Sequence, residues 1–415
     1  MPDGTTDAKT DAPTPPGALP TLAVGSWADH TCAIFETGEA KCWGYNGDGE
    51  LGLGDVDNRG DGPGEMGTAL PVVAVGPGRT VRRIALSGAA TCAVLDDQSL
   101  KCWGNNAYGQ LGLGDGLPRG VAANQMGASL PAVDLGAGRK AASVVGGSLH
   151  TCALLDDGSV KCWGFNTNGQ LGRGDKVTRG DLAGQMGASL PAIDLGVGRS
   201  AMALASGASF VCALLDNGSV KCWGNNEAFQ LGVSDAIDRG DDPGEMGDAL
   251  PVVNLGPGRT ATSVAAGGAS ACAILDDGQT KCWGKKIGAQ GVHGGELAGV
   301  DFGVGRTAKQ LSIGADRACA VLDDESVKCW GQNDVGQLGQ GHMFVRAVPT
   351  AVDLGTNKRA RSVSAYGRYT CAVLTDGTVK CWGSGRLGHL GSGNEQDRGD
   401  APGEMGDALP AVSLR

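Results

Sequence analysis

Fourteen cysteines fall into seven pairs, each pair ten residues apart: Cys32 with Cys42, Cys92 with Cys102, Cys152 with Cys162, Cys212 with Cys222, Cys272 with Cys282, Cys319 with Cys329, and Cys371 with Cys381. None is left over. Thiols at a fixed spacing can oxidise to disulfides or hold a metal. Structural zinc sites place cysteines two to four residues apart with further ligands close by. Here each pair stands alone, so the spacing points to seven disulfides. Catalytic chemistry finds no comparable pattern. The five histidines are scattered along the chain. Phosphate-binding, His-Glu-x-x-His and Gly-x-Ser-x-Gly motifs are absent. No residue is assigned a catalytic role, and no metal or cofactor is expected. Calcium in the acidic loops described below is the one exception considered, because that ion prefers several oxygen ligands.

The cysteines must be positioned by β-hairpins. In Thr151-Cys-Ala-Leu-Leu-Asp-Asp-Gly-Ser-Val-Lys-Cys-Trp-Gly164, apolar residues flank an Asp-Asp-Gly centre. If Asp156-Asp157-Gly158 is a three-residue turn, Leu155 faces Ser159, and Gly158 supplies the left-handed position. Pairing outward sets Cys152 opposite Cys162 at a non-hydrogen-bonded site, with Cα atoms about 4.5 Å apart. A Trp-Gly pair follows every second cysteine, from Trp43 to Trp382.

Between hairpins recurs a second pattern, as in Leu190-Pro-Ala-Ile-Asp-Leu-Gly-Val-Gly-Arg199, followed by an alternating Ala/Ser/Val segment. It reads as two more strands, giving four short antiparallel strands per unit. A four-stranded unit of this size cannot bury both faces alone. The expected fold is therefore all-β, a seven-bladed β-propeller of four-stranded antiparallel blades. The chain starts its strands at Thr21-Leu22 and ends Leu409-Pro-Ala-Val-Ser-Leu-Arg415. On this reading the C-terminal strand pairs into the first blade and closes the ring. Residues 21–415 form one domain, and the Asp/Thr/Pro-rich residues 1–20 read as a disordered linker.

Gly147-Ser-Leu-His-Thr151 and Gly164-Phe-Asn-Thr-Asn-Gly-Gln-Leu-Gly172 resemble the repeat of the regulator of chromosome condensation family of seven-bladed propellers. The resemblance extends over nearly the whole chain after about residue 20. Family members include an exchange factor for a nuclear GTPase, an ultraviolet-B photoreceptor and a β-lactamase-inhibiting protein. The resemblance thus specifies a fold more than a function. The paired cysteines depart from nuclear and plant members and imply a secreted, bacterial-like branch. The tryptophans belong to the Trp-Gly motif, so the photoreceptor's tryptophan site does not carry over.

Net charge is −11, which argues against nucleic acid as a partner. No apolar run approaches the ~20 residues of a membrane helix. Seven disulfides fit an oxidising compartment, so a secreted, cell-surface or periplasmic location is expected. The signal or lipoprotein leader would then have been removed from this chain, leaving a possible lipid tether. The protein is expected to be monomeric.

The Asp-Asp-Gly and Gly-x-Gly-Arg turns share one end of each unit, the bottom, and vary little. The loop before each first cysteine, the loop after Trp-Gly and the excursion to Leu-Pro share the top, and vary. A repeat that holds its framework and varies one face suggests a binding surface. The expected partner-binding residues are Asp29, His30, Tyr45, His150, Phe165, Phe210, Lys285, Lys286, Arg317, Arg368 and Tyr369. From Trp to Leu-Pro the excursion spans 27 residues in units 1–4 and 7 and is cut in units 5 and 6. An acidic wall (Asp55, Asp57, Asp61, Glu65; Asp235, Asp238, Asp241, Asp242, Glu245; Glu395, Asp397, Asp400, Glu404) would flank a basic notch (Lys285, Lys286, His293, His342, Arg346). Arg-Gly-Asp recurs at Arg59, Arg179, Arg239 and Arg398, where a local ion pair fixing the loop is expected rather than integrin binding. The function that follows is a non-catalytic protein binder outside the cytoplasm. Three alternatives are an exchange-factor-like GTPase regulator, a carbohydrate binder and an enzyme with its site in the notch.

Overall fold

A computed structural model describes residues 21–22, 28–285 and 297–415. The expected linker over 1–20 lies outside the described residues, as do Lys286 and His293. The chain builds seven antiparallel sheets in sequence order. Unit 3 shows the plan, with strands Ala141–Gly146, His150–Leu155 and Val160–Gly164. The other units start at strands Thr21–Leu22, Val81–Leu86, Ala201–Ser206, Ala261–Gly267, Ala308–Ile313 and Ala360–Ala365.

The hairpin follows the expected register. Cys152 pairs with Cys162 and Leu154 with Val160. The Leu155 N–H donates to Ser159 O at 2.9 Å across the turn, and Gly158 takes φ +79°. The expected disulfides all form. Cys32 is bonded to Cys42, Cys92 to Cys102, Cys152 to Cys162 and Cys212 to Cys222. In the last three units Cys272 is bonded to Cys282, Cys319 to Cys329 and Cys371 to Cys381. Their Cα atoms are 4.0–4.1 Å apart, somewhat closer than the spacing expected for an open non-hydrogen-bonded pair. Among the described residues no cysteine is free.

Among the described residues, four full strands form only in unit 6, where Arg346–Ala351 is added to the sheet. In units 1–4 and 7 the Leu-Pro segment docks on the third strand by little more than one backbone bond, such as Val133 N–H to Leu100 O and Ile193 N–H to Val160 O, both 2.8 Å. Pro131 and Pro191 have no N–H to give the ladder and suit an edge, as does Pro349 within the unit 6 strand. A lysine supports the segment instead. Lys161 Nζ donates to Leu135 O at 2.9 Å and Gly187 O at 2.8 Å.

The C-terminal segment does not replace a missing strand of the first unit. Val412 N–H donates to Val379 O at 2.8 Å, inside unit 7, and unit 1 has its own segment through Val73 N–H to Ala40 O at 2.8 Å. The repeat boundary therefore lies after Leu-Pro, and each sheet is built from consecutive chain. Units 7 and 1 still touch. Gly67 N–H donates to Ser413 O at 2.9 Å, and Lys41 Nζ to Leu414 O at 3.1 Å.

Apolar clusters lie between successive sheets. The Trp-Gly tryptophan anchors the joints through Trp43, Trp103, Trp163, Trp223, Trp283 and Trp382. Trp163 Nε1 donates to Gln110 O of unit 2 at 3.0 Å, and Trp223 Nε1 to Gln170 O of unit 3 at 3.1 Å. Trp43 of the first unit reaches His389 O of the last at 3.1 Å. The close approach requires glycine: a Cβ on Gly112 would sit 2.7 Å from Trp163 Nε1.

Candidate binding surface at the top end

The top end is organised from one asparagine in each of units 1–4 and 6. Asn166 Oδ1 accepts the Leu171 N–H at 2.9 Å, while its Nδ2 donates to Asp175 O at 2.7 Å and Val177 O at 3.2 Å. Asn46 and Asn333 act in the same way. The Arg-Gly-Asp arginine locks the same loop. Arg179 pairs with Asp175 at 2.6 Å and donates to Val177 O at 2.9 Å. Arg59 and Arg239 pair likewise with Asp55 and Asp235, as does Arg119 of an Arg-Gly-Val sequence with Asp115. Where the ion pair forms, the partner is the aspartate four residues earlier, not the one in the tripeptide. Arg398 departs from the expected ion pair and donates to Asp397 O and Gln396 Oε1.

The carbonyl two residues before the arginine is held by both groups in Asp57 and Val177, by the arginine alone in Leu117 and Ile237, and by the asparagine alone in Phe344; Gln396 stands at the same place in unit 7. With the backbone clamped, the side chain at this place points to solvent. Leu117, Val177, Ile237 and Phe344 are 56–70% exposed. Four large apolar side chains thus stand at equivalent places on the rim. Sequence reasoning missed them, although the signal was present: an apolar residue at i−2 from the loop arginine in units 2, 3, 4 and 6.

The excursions are joined into a wall. Gly393 N–H donates to Gly60 O, Gly54 N–H to Gly120 O, Gly114 N–H to Gly180 O and Gly174 N–H to Gly240 O, at 2.9–3.0 Å. These bonds link units 7, 1, 2, 3 and 4 in turn. Gly341 N–H to Gly399 O, 3.0 Å, adds unit 6 to unit 7. Several wall carboxylates are spent inside the loops. Glu65 Oε2 accepts the N–H groups of Gly60 and Gly62, and Asp241 pairs with Lys176 at 3.1 Å. Of the notch residues, Lys285 is exposed. His342 is tied locally, its Nε2 2.8 Å from an Arg346 nitrogen and its Nδ1 accepting the Phe344 N–H. Among the described residues no three metal-ligating side chains converge, and no helix is long and apolar enough to cross a membrane.

The expected partner-binding residues separate into two groups. His30, His150, Phe210, Arg317 and Tyr369 are buried between sheets, so they do not present themselves to a partner. Each opens the middle strand of its unit, two residues before the first cysteine. Alternation puts it on the same face as that buried cysteine. These side chains fasten neighbouring units. His30 Nε2 lies 2.6 Å from Thr91 Oγ1, and His150 Nε2 lies 3.1 Å from Ser206 Oγ. Arg317 reaches Gly367 O at 2.9 Å, Thr370 Oγ1 at 3.2 Å and Tyr369 O. Burial lowers the His30 pKa to about 3, helped by His389, and the His150 pKa to about 4. Burial also lowers the Arg317 pKa to about 9.

Asp29, Tyr45 and Arg368 do come together. With Arg386, His389 and Asp397 they line a cavity of about 760 Å³ at the seam of units 7 and 1. Of the lining residues, His389 stacks on the buried Tyr369, which stacks in turn on Tyr366, with centroids 4.7 and 4.6 Å apart. His389 Nε2 lies 3.8 Å from Asp29 Oδ1. Arg368 pairs with Asp334 at 2.6 Å. Phe165 lies elsewhere, half-buried edge-on against Tyr108 at 4.9 Å.

Two sequence profiles of the Regulator of chromosome condensation (RCC1) repeat match the chain. One covers residues 23–50, 81–110, 141–170, 203–230, 308–337 and 360–388, and the other 101–154, 157–214 and 324–373. The chain is 28% identical over 384 residues to the Ultraviolet-B receptor UVR8 of Arabidopsis thaliana, covering 91% of this chain and 68% of the receptor. It is 32% identical over 221 residues to the mitochondrial RCC1 domain-containing protein RUG3 of the same plant, covering 51% of this chain and 43% of that relative. Solved structures share the fold. Human WBSCR16 superposes with a TM-score of 0.67 at 19% identity, over 87% of this chain and 88% of that one. Prp20p of Saccharomyces cerevisiae, described with its binding to Gsp1p and histones, gives 0.67 at 17% identity, over 95% and 87%.

Proposed function

Since the chain belongs to the Regulator of chromosome condensation (RCC1) repeat family by repeat matches over more than half its length, we propose that its seven sheets close into a monomeric propeller that docks a protein partner outside the cytoplasm. The contacts of Trp43, Gly67 and Lys41 with unit 7 support closure. Seven disulfides support an oxidising location, since such bonds are rare in reducing compartments.

The observation that carries the docking surface is the clamped apolar rim. Leu117, Val177 and Ile237 stand on three consecutive units, held from behind by Asn or Arg. A side chain on a fixed backbone loses little freedom on binding. Apolar groups rimmed by charge mark protein contact sites. Asp29, Tyr45 and Arg368 at the seam supply polar contacts to the same end. The triple variant Leu117→Ser, Val177→Ser, Ile237→Ser should keep its thermal midpoint. Used as bait beside the parent against extracellular proteins, it should lose the partner the parent retains. Retention of the same partner by both would exclude the rim.

Likeness to Prp20p favours a second reading, a GTPase regulator, which requires a reducing compartment. Intact mass before and after reduction separates the two. A gain of about 14 Da, two hydrogens per bond, supports the extracytoplasmic reading. No gain, with thiols alkylated without reductant, moves the regulator to first place.

A further inference from the structure

The innermost strands enclose a cavity of about 570 Å³, distinct from the top surface. It is lined by side chains from the inner strands of units 1–6. Its throat is apolar, with Leu22, Ile84, Val144, Leu204 and Leu311 facing it. It extends along four or five residues of the inner strands of units 2–4, about 15 Å at the usual ~3.3 Å rise, and along three of those of units 5 and 6. Among the described residues no carboxylate lines it, in a chain of net charge −11.

The bottom mouth carries the opposite charge. Each inner strand from unit 2 onward bulges one residue after its start, as between Val81 and Arg83 or Ala360 and Ser362. The bulge leaves that residue unpaired and re-aims it. Those residues are Arg82, Ala142, Met202, Thr262, Lys309 and Arg361, all exposed. Arg82 and Arg83 line the cavity itself. None of Arg82, Arg83, Lys309 and Arg361 forms an ion pair among the described residues, whereas Arg79, Arg139 and Arg306 on the adjacent turns all do. Unpaired cations thus crowd one entrance of an acid-free apolar tube.

We propose that this channel binds one molecule of a single-chain anionic amphiphile, a free fatty carboxylate. The hydrocarbon tail lies between the inner strands and the carboxylate meets Arg82 and Arg83. A volume of this size is ordinary for a small-ligand site. Charge selects the head group: a carboxylate gains charge-assisted hydrogen bonds from a guanidinium, and an ammonium is repelled.

The probe is dodecanoate below its micelle concentration, titrated calorimetrically into the full chain with stoichiometry checked by native mass spectrometry. One molecule should bind. Dodecylammonium, with the same tail, should bind at least about tenfold more weakly, and the double variant Arg82→Ala, Arg83→Ala should weaken dodecanoate by about tenfold. Met202→Glu, exposed at the same mouth, should weaken it as well. These are surface changes, and each variant's thermal midpoint verifies its fold. Absence of saturable binding would overturn the proposal. So would several molecules bound without saturation, equal affinity for both amphiphiles, or unchanged affinity in both variants. Retention only on anionic vesicles, and not of the free carboxylate, would assign the cations to a membrane surface instead and also overturn it.

Discussion

The joints between units 2, 3 and 4 and the seam between units 7 and 1 use one plan with different chemistry. In each of the former joints a tryptophan donates to the carbonyl of a glutamine, and that glutamine's own amide is satisfied locally. Gln110 Oε1 accepts the Tyr108 N–H at 2.9 Å and its Nε2 donates to Asn105 Oδ1 at 2.8 Å. At the seam that position holds His389, which receives Trp43 at 3.1 Å, and at the neighbouring joint of units 1 and 2 it holds Glu50, which receives Trp103 at 2.9 Å. Glu50 Oε2 accepts the Asp48 N–H, but its Oε1 has no partner. Neither ring nitrogen of His389 has one within hydrogen-bonding distance. At the joints of units 2, 3 and 4 this position is a neutral, locally satisfied amide, whereas at the seam and the joint beside it the position is ionisable and under-satisfied. The geometry of a joint survives such changes because the backbone carbonyl, not the side chain, receives the tryptophan.

If backbone anchoring is the shared element, Trp43→Ala and Trp163→Ala should each cost about 3–5 kcal/mol, measured by denaturant unfolding. A Trp43 variant near parental stability would show that the seam is held by something other than the repeated joint. A smaller effect sharpens the contrast. Burial raises the Glu50 pKa to about 7, with Asp48 and Asp29 adding to the rise. A carboxyl whose folded pKa is raised favours folding when protonated. Its contribution is present below the unfolded value near 4.5 and is lost as pH rises through about 7. Glu50→Gln, which installs the interior amide, should stabilise the protein at pH 8 by on the order of 3 kcal/mol and do little at pH 4. The readout is the thermal midpoint at the two pH values. Equal shifts at both would mean the carboxyl's charge is irrelevant. His389 has the opposite sign. Burial lowers its pKa to about 4, so its neutral form favours folding above the unfolded value near 6.5. That stability is lost as pH falls from there toward 4. His389→Gln should be neutral at pH 8 and stabilising by on the order of 2 kcal/mol near pH 4.5. A loss at pH 4.5 would show that the imidazolium finds a partner, with Asp29 the nearest candidate.

The hairpins were legible because a disulfide, a three-residue turn and a period-two pattern all specify one register. The Cys152–Cys162 pairing needed nothing beyond counting, and the same count carries over to the other six units. The fourth strand was overread: the alternation around Pro131 and Pro191 is real, but an edge segment held by one backbone bond does not make a ladder, and Pro349 within the strand of unit 6 shows that the proline itself does not decide the outcome. The ends were misread for a related reason. Leu409-Pro410 looked orphaned because the repeat was divided before that motif rather than after it. The partner-binding positions mixed two classes, since His150 and Phe165 lie close to the same hairpin. Only strand parity from the buried cysteine separates the interior residue from the half-buried one. Leu117, Val177 and Ile237 were hidden by a sound habit: isolated apolar residues in loops are ordinary. Their meaning comes from recurrence at one clamped position.

Each disulfide spans only its own hairpin, ten residues from end to end. A protease that cuts the chain at Asp157 would leave both fragments joined through Cys152 and Cys162. A cut in the excursion near Val177, beyond any such loop, would have no covalent bond across it. The molecule is thus protected against nicking at one end and dependent on its folded contacts at the other, the end proposed to dock a partner.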